Sequence, residues 1–239
     1  MLKPLHIITP VKDSYETTAG SIRAIMESDL PASCSYTVYN DFSTAGNKKL
    51  LEEMAGEFNF GLVHLEELTT NPSPNYRLIL QLAQKKALEA GADLMIVESD
   101  VCVKPDTILK MHTACSGLHK PGMVAAVTVD ESGAINFPYL YASSYPSSTI
   151  KTRKRLSFCC SILSNSLLSA YDFERLDPEK SWFDVYISHK SLKLGFKNYL
   201  MTELPVLHRP HSSRPWKQLK YSQPWKYYLQ KILKQRDKI

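Results

Sequence analysis

Glu98, Ser99 and Asp100 follow directly on four apolar residues, Leu94-Met95-Ile96-Val97. Such a run reads as a short, fully buried strand. In an open α/β sheet, ligands sit outside the carboxyl ends of the strands. Two carboxylates delivered there can hold a divalent cation, and the cation can hold phosphates. Acid-x-acid triplets also arise by chance in surface loops, so the reading rests on what surrounds this one. Asp41 follows a second strand-like stretch, where it either accepts a hydrogen bond from a ligand or simply shapes a turn. Asp184 stands at the start of a predicted helix, where an acid suits the helix dipole and can also act as a general base. His208 follows a late apolar stretch and is either structural or a ligand.

The periodicity supplies the elements that would bring these residues together. Leu5–Ile8, Tyr36–Tyr39, Gly61–Leu65 and the Leu94 run read as strands. Between them lie three amphipathic stretches. One is capped by Ser14 and runs to about Ser28, one runs to Phe58, and one starts at Ser73-Pro74 and ends at Gly91. The order βαβαβαβ predicts a parallel sheet with helices on its faces. Right-handed crossovers then place Thr9, Asp41 and the Glu98/Asp100 pair along one sheet edge. The second half reads less regularly. A helix is expected over Pro105–His112, a strand over Met123–Val129, and a hairpin partner over Ile135–Tyr141. A long Ser/Tyr/Pro-rich loop should follow over Tyr141–Arg155, then a strand over Leu156–Leu163. Trp182–Leu194 reads as a helix, and Tyr199–Leu200 and Val206–Leu207 as short strands. The tail, Pro224–Lys234, reads as an amphipathic helix with Trp225, Tyr228, Leu229 and Ile232 on one side.

Composition bounds the answer. The chain has 239 residues, enough for a sizeable core. With 44% hydrophobic and 22% charged residues it reads as an ordinary globular protein. Its net charge of +5 suits a phosphate-bearing ligand or an anionic membrane surface as well as nucleic acid. No apolar run approaches the ~20 residues of a spanning helix, and no signal-peptide core precedes the first strand, so a cytoplasmic location is expected. The five cysteines are odd in number and lack CxxC spacing, which suits reduced packing thiols.

Taken in order, Thr9-Pro10-Val11-Lys12, Asn40-Asp41-Phe42-Ser43, Glu98-Ser99-Asp100, Trp182-Phe183-Asp184-Val185 and His208 resemble the landmarks of family 2 glycosyltransferases of the GT-A fold. The resemblance covers roughly residues 5 to 209. Its later part, Tyr171 to His208, is similar to the rhamnosyltransferase-like branch. The fold it implies is α/β, a Rossmann-like, mostly parallel sheet flanked by helices, with a small antiparallel portion in the acceptor half. A single domain would span residues 1–215, with a nucleotide-sugar-binding half (1–104) and an acceptor half (105–215). A basic, aromatic tail helix (216–239) would follow.

The resemblance implies an inverting, metal-dependent transferase that moves one sugar from a UDP- or dTDP-sugar to a glycan or lipid-linked glycan, in surface polysaccharide assembly. Thr9, Pro10, Val11, Asp41, Glu98 and Ser99 would face the donor nucleotide, with Asp41 accepting the imide N–H of the base. Asp100 and His208 would hold Mn²⁺ or Mg²⁺, and Asp184 would be the catalytic base. Arg77, Arg153, Arg155, Arg209 and Arg214 are candidate contacts to phosphate or acceptor. No nucleic-acid partner is implied. The tail could touch a membrane surface peripherally, pack on the domain or meet a second subunit. The chain departs from the pattern at Phe183, where the family has Glu, and at Glu98, where it commonly has Asp. The Gln-x-x-Arg-Trp motif of processive synthases is absent. Two other readings stand beside this one. A sugar nucleotidyltransferase would need a Gly-rich, lysine-containing loop after the first strand, and Thr9–Ser14 has no glycine. A non-catalytic nucleotide- or glycan-binding relative is the other.

Overall fold

The computed structural model describes residues 2–209 and 223–233. Strands β1 (Leu5–Val11), β2 (Cys34–Asn40), β3 (Gly61–His64) and β4 (Asp93–Val97) alternate with helices α1 (Tyr15–Met26), α2 (Ala45–Phe58) and α3 (Tyr76–Glu89). After β4 come β5 (Val101–Cys102), α4 (Thr107–Gly117), β6 (Pro121–Val129), β7 (Thr149–Thr152) and β8 (Cys160–Leu163). Then follow α5 (Asn165–Ala170), α6 (Phe183–Lys193), β9 (Lys197–His208) and α7 (Pro224–Leu233).

One sheet runs in the order β3-β2-β1-β4-β8-β6-β9-β5, and β7 also pairs with β9. The β3-β2-β1-β4 half is parallel, as is the long β6–β9 pairing. Strands β8, β5 and β7 pair antiparallel. By paired residues the sheet is mostly parallel and helices cover both faces, as the sequence predicts. The side chains of β4 explain why the strand is apolar throughout. Met95 and Val97 join the core with Ile22, Ile25, Ile108 and Met111. Leu94 and Ile96 join the opposite core with Ile79, Ile187 and Phe173. A strand covered on both faces has no polar side to show.

The first half follows the sequence reading closely, and the second half differs in instructive ways. Ser14 does not cap α1 through its side chain; it lies at φ 54°, ψ 47°. There, with Asp13 at φ 53°, it turns the chain sharply out of β1. Ser73-Pro74 precedes α3 but does not open it, because Ser73 and Asn75 are engaged elsewhere. Ile135–Tyr141 makes one antiparallel bridge, Val129 to Ile135, then a 3₁₀ turn at Leu140–Ala142. Pro138 has no N–H to extend a ladder. The expected long loop contains β7, which pairs with β9. Only Cys160–Leu163 of the expected Leu156–Leu163 strand is in the ladder. The two short late strands are a single strand, β9, whose residues 202–205 stand opposite Val127 as a bulge. Helix α5 had no counterpart in the reading, although Ser164 caps it by accepting the Leu167 N–H at 3.2 Å.

Gly91 ends α3 as expected, and Gly195 lies just past the end of α6. Gly91 has φ +62° and Gly195 has φ +85°, a conformation costly for residues with a Cβ. On α7, Tyr227 is buried while Trp225, Tyr228 and Leu229 are exposed. Residues 210–222 and 234–239, including the candidate Arg214 and the rest of the predicted tail, lie outside the described residues. Among the described residues, no helix is long and apolar enough to cross a membrane.

Candidate active site

Glu98-Ser99-Asp100 forms a tight turn at the carboxyl end of β4. The Glu98 N–H donates to Cys159 O at 2.9 Å, and Val101 N–H closes the turn on Glu98 O at 3.0 Å. The chain then enters β5, where Val101 stands opposite His208. Arg209 N–H donates to Asp100 O at 2.9 Å. This short antiparallel pairing sets Asp100 beside His208, residues 108 positions apart in sequence.

His208 is almost wholly buried, and its Nε2 lies 3.6 Å from Asp100 Oδ2. Its Nδ1 is 2.7 Å from the Phe137 carbonyl. A carbonyl only accepts, so Nδ1 carries the proton and the Nε2 lone pair of the neutral ring faces Asp100. The same turn holds the strand end, because Asn136 Nδ2 donates to His208 O at 2.9 Å. Burial alone would lower the pKa of His208. The neighbouring carboxylates, Asp100 first and then Glu98, outweigh it and hold the pKa above the ordinary imidazole value.

Asp184 occupies the first turn of α6, with Oδ1 accepting the Val185 N–H at 2.8 Å. One buried thiol feels the charge of all three acids. Burial pushes the Cys159 thiol far above the usual range, and the charges of Glu98, Asp100 and Asp184 push it further. The thiol approaches Glu98 Oε2 at 3.5 Å. Two acids of the β4–β5 turn and one from the first turn of α6 thus act on the same buried thiol.

Asp41 lies at the same sheet edge, at the end of β2, and is 6% exposed. Its Oδ2 accepts from Ser73 Oγ at 2.7 Å and from Asn75 N–H at 2.8 Å, and its Oδ1 accepts from Asn75 Nδ2 at 2.8 Å. The carboxylate thus ties the end of β2 to the entry of α3. Strand β1 continues through Thr9, Pro10 and Val11. Thr9 is fully buried and its hydroxyl accepts from Tyr36 Oη at 2.9 Å. Pro10 is half-buried and Val11 is buried, with Val11 O accepting the Asp41 N–H at 2.8 Å. Ser99 is half-buried in the acidic turn.

The arginines disperse. Arg77 Nη2 donates to Glu174 O at 2.9 Å, and Arg209 Nε pairs with Glu131 at 3.2 Å. Arg155 is exposed, and its carbonyl accepts from Tyr141 Oη at 3.0 Å. Arg153 belongs to a separate cavity at the far end of α6. The sequence reading gave Ser73 only a helix start and did not single out Asn75 or Cys159, although Ser73 and Asn75 hold Asp41. Nor could it point to the Phe137 carbonyl, a backbone group that no residue type announces.

Among the described residues, no group of three or more His, Cys, Asp and Glu side chains is arranged to hold a metal ion. The Asp100–His208 pair nonetheless fits a divalent cation. It offers one oxygen and one imidazole nitrogen facing each other. The imidazole is fixed by a carbonyl on its other nitrogen, as metal-bound histidines usually are. Mn²⁺ or Mg²⁺ typically takes few protein ligands and fills its shell with water and phosphate oxygens.

The fold has counterparts among solved structures. The chain superimposes on Staphylococcus aureus TarS 1–349 with a TM-score of 0.65 and 18% identity, covering 86% of this chain and 60% of that one. TarS has also been solved with UDP-GlcNAc. The mannosyltransferase PcManGT from Pyrobaculum calidifontis, in complex with GDP-Man and Mn²⁺, gives a TM-score of 0.66 at 15% identity, covering 100% of this chain and 66% of that one. GalNAc-T7 with UDP, GalNAc and Mn²⁺ gives 0.64 at 10% identity, covering 87% and 44%. The fold is GT-A-like. At these identities the likeness establishes the fold alone, and the chain spans less than two thirds of each of these neighbours. No protein-family model and no curated protein matches the chain.

Proposed function

We propose that the chain is an inverting, metal-dependent glycosyltransferase of the family 2 type. In this reading it moves one sugar from a UDP- or dTDP-sugar to a glycan or lipid-linked glycan, in cell-surface polysaccharide assembly. The observation that carries the proposal is the imidazole of His208, oriented by the Phe137 carbonyl and facing Asp100 in the turn that also carries Glu98. Neighbours sharing the fold have been solved with nucleotide sugars and Mn²⁺, which supports a donor of the same chemical class.

Asp100 and His208 would hold Mn²⁺ or Mg²⁺, which when bound offsets charge growing on the departing diphosphate. Glu98 and Ser99 lie beside that pair, where a ribose and its phosphates would pass. Asp184 stands at a helix start and is partly exposed, so an acceptor hydroxyl can reach it. Its carboxylate would take the hydroxyl proton as the oxygen attacks the anomeric carbon. Attack on the face opposite the leaving diphosphate inverts that carbon through an oxocarbenium-like state. Asp41, with three hydrogen bonds already accepted, retains one Oδ1 lone pair for the imide N–H of a uracil or thymine ring.

The deciding experiment is a donor screen, with UDP- and dTDP-sugars assayed for hydrolysis and transfer with and without Mn²⁺. Metal-dependent turnover by the wild-type chain is expected. Nucleotide binding without turnover across a broad acceptor set would overturn the enzymatic reading in favour of a binding protein.

A further inference from the structure

A cavity of about 260 Å³ opens at the end of α6 remote from Asp184, lined by Lys151, Thr152, Arg153, Leu192, Phe196 and Lys197. It lies about 12 Å along the helix axis from Asp184, at 1.5 Å per residue over eight residues. On β9 it sits at Lys197, the opposite end of the strand from His208. Thr152 stands opposite Asn198 in the β7–β9 ladder, so Lys151 and Arg153 flank the register position next to Lys197. Among the described residues, no acidic one lines the cavity. None of the three cations has a carboxylate within ion-pair distance among the described residues.

The charge around it is one-sided in sequence as well. Residues 149–155 and 189–199 together carry seven Lys and Arg and no Asp or Glu, more than the whole chain's net charge of +5. Residues 210–239 carry a further eight Lys and Arg against one Asp, so the positive charge lies in these segments and the tail, and the remainder of the chain is acidic. Nearby cations on the same segments are already engaged, Lys154 over the Tyr141 ring at 4.8 Å and Lys190 over the Tyr171 ring at 4.9 Å. Among the described residues, no aromatic ring engages the three at the cavity. Leu192 and Phe196 provide a half-buried apolar wall, so an anion entering there leaves part of its water behind and gains more from each cation than it would on open surface. The volume holds roughly eight water molecules, enough for a phosphate-bearing group. Arg offers a planar fork to two phosphate oxygens, and each Lys a point charge to the rest.

We propose that this cavity is a binding site for a phosphate-bearing group, separate from the candidate active site. The group comes either from a membrane lipid headgroup or from a soluble phosphate compound. The inference does not depend on glycosyl transfer, and its test needs neither donor nor divalent cation. The full chain is titrated with inorganic pyrophosphate by calorimetry in metal-free buffer. In parallel it is sedimented with phosphatidylcholine vesicles with and without phosphatidylglycerol. The same is done with a Lys151→Ala/Arg153→Ala/Lys197→Ala variant and with a charge-matched control, Lys49→Ala/Lys85→Ala/Lys104→Ala, altered at exposed positions elsewhere.

Wild-type binding in at least one arm is expected, weakened by at least about tenfold in the cavity variant and by less than about twofold in the control. Binding in the pyrophosphate arm identifies a soluble source, and binding confined to phosphatidylglycerol vesicles identifies a headgroup. No binding in either arm, or equal weakening in both triple variants, overturns the site. Should the cavity triple lose its circular-dichroism signature, the single Arg153→Gln variant, changed at an exposed side chain, is read in its place with an expected loss of about threefold.

Discussion

His208 turns its Nε2 to within 3.6 Å of Asp100 Oδ2 because the residue after Asp100, Val101, is its partner across the β5–β9 ladder. A two-residue strand is thus enough to join the middle of the chain to its later part and make one polar pair.

That pair yields a prediction about cation affinity. Asp100→Asn should weaken Mn²⁺ binding by about 10–100-fold, and His208→Gln by a similar factor. Calorimetric titration with Mn²⁺ in the presence of UDP measures both. The affinity should also depend on pH with a definite sign. A protonated imidazole has no lone pair to give, and the Asp100 and Glu98 carboxylates raise the pKa of His208. Affinity should therefore rise as pH climbs through that raised value. In Asp100→Asn the rise should move to lower pH.

Asp184 separates chemistry from binding. Its replacement by Asn keeps size and helix position but removes the base. The expected result is a fall in kcat of about 10²–10⁴-fold, with UDP affinity unchanged by calorimetry. Unaltered turnover in Asp184→Asn would remove the base assignment.

His6 predicts an acid-sensitive core. It is buried on β1, its Nδ1 is 2.9 Å from Ser35 Oγ, and burial followed by the Lys86 charge lowers its pKa from 6.5 to about 4. The unfolded chain then binds a proton that the folded chain refuses between those two values, so this contribution is present above pH 6.5 and is lost as pH falls towards 4. From pH 7 to pH 5 the loss is on the order of 2 kcal/mol. Urea unfolding at the two pH values measures it, and His6→Gln should show a shallower slope.

Gly122 marks where β6 touches the end of α6. A Cβ there would collide with Ser191 Oγ and lie 2.7 Å from Phe196 Cβ. Ser191 cannot yield freely, because its Oγ donates to the buried Asn198 Oδ1 at 2.7 Å. Gly122→Ala should cost about 1–3 kcal/mol by overpacking, read as a lowered urea midpoint with an unchanged slope.

The parallel half of the sheet was legible because its strands are short, apolar and separated by amphipathic helices of ordinary length. Leu94–Val97 could hardly be anything else, and the acids after it had to emerge at the sheet edge. The second half was harder because its pairings are long-range. Thr149–Thr152 becomes a strand only because β9 is there to receive it, and nothing in a Ser/Tyr/Pro-rich stretch announces that partner. Asp41 could be placed at the edge from sequence. Its bonds to Ser73 and Asn75 could not, since they depend on how α3 enters the fold. The division of the arginines is a tertiary outcome of the same kind. Arg153 and Arg155 are neighbours in sequence, yet the first lines the remote cavity while the second lies beside Tyr141.

The bulge in β9 resets the register in which the imidazole is delivered. Side chains along a strand alternate between faces, and residues 202–205 absorb the surplus between Met201, opposite Ala126, and Val206, opposite Thr128. Because those four residues take up the surplus, the pairing restarts at Val206 and His208 arrives opposite Val101, beside Asp100.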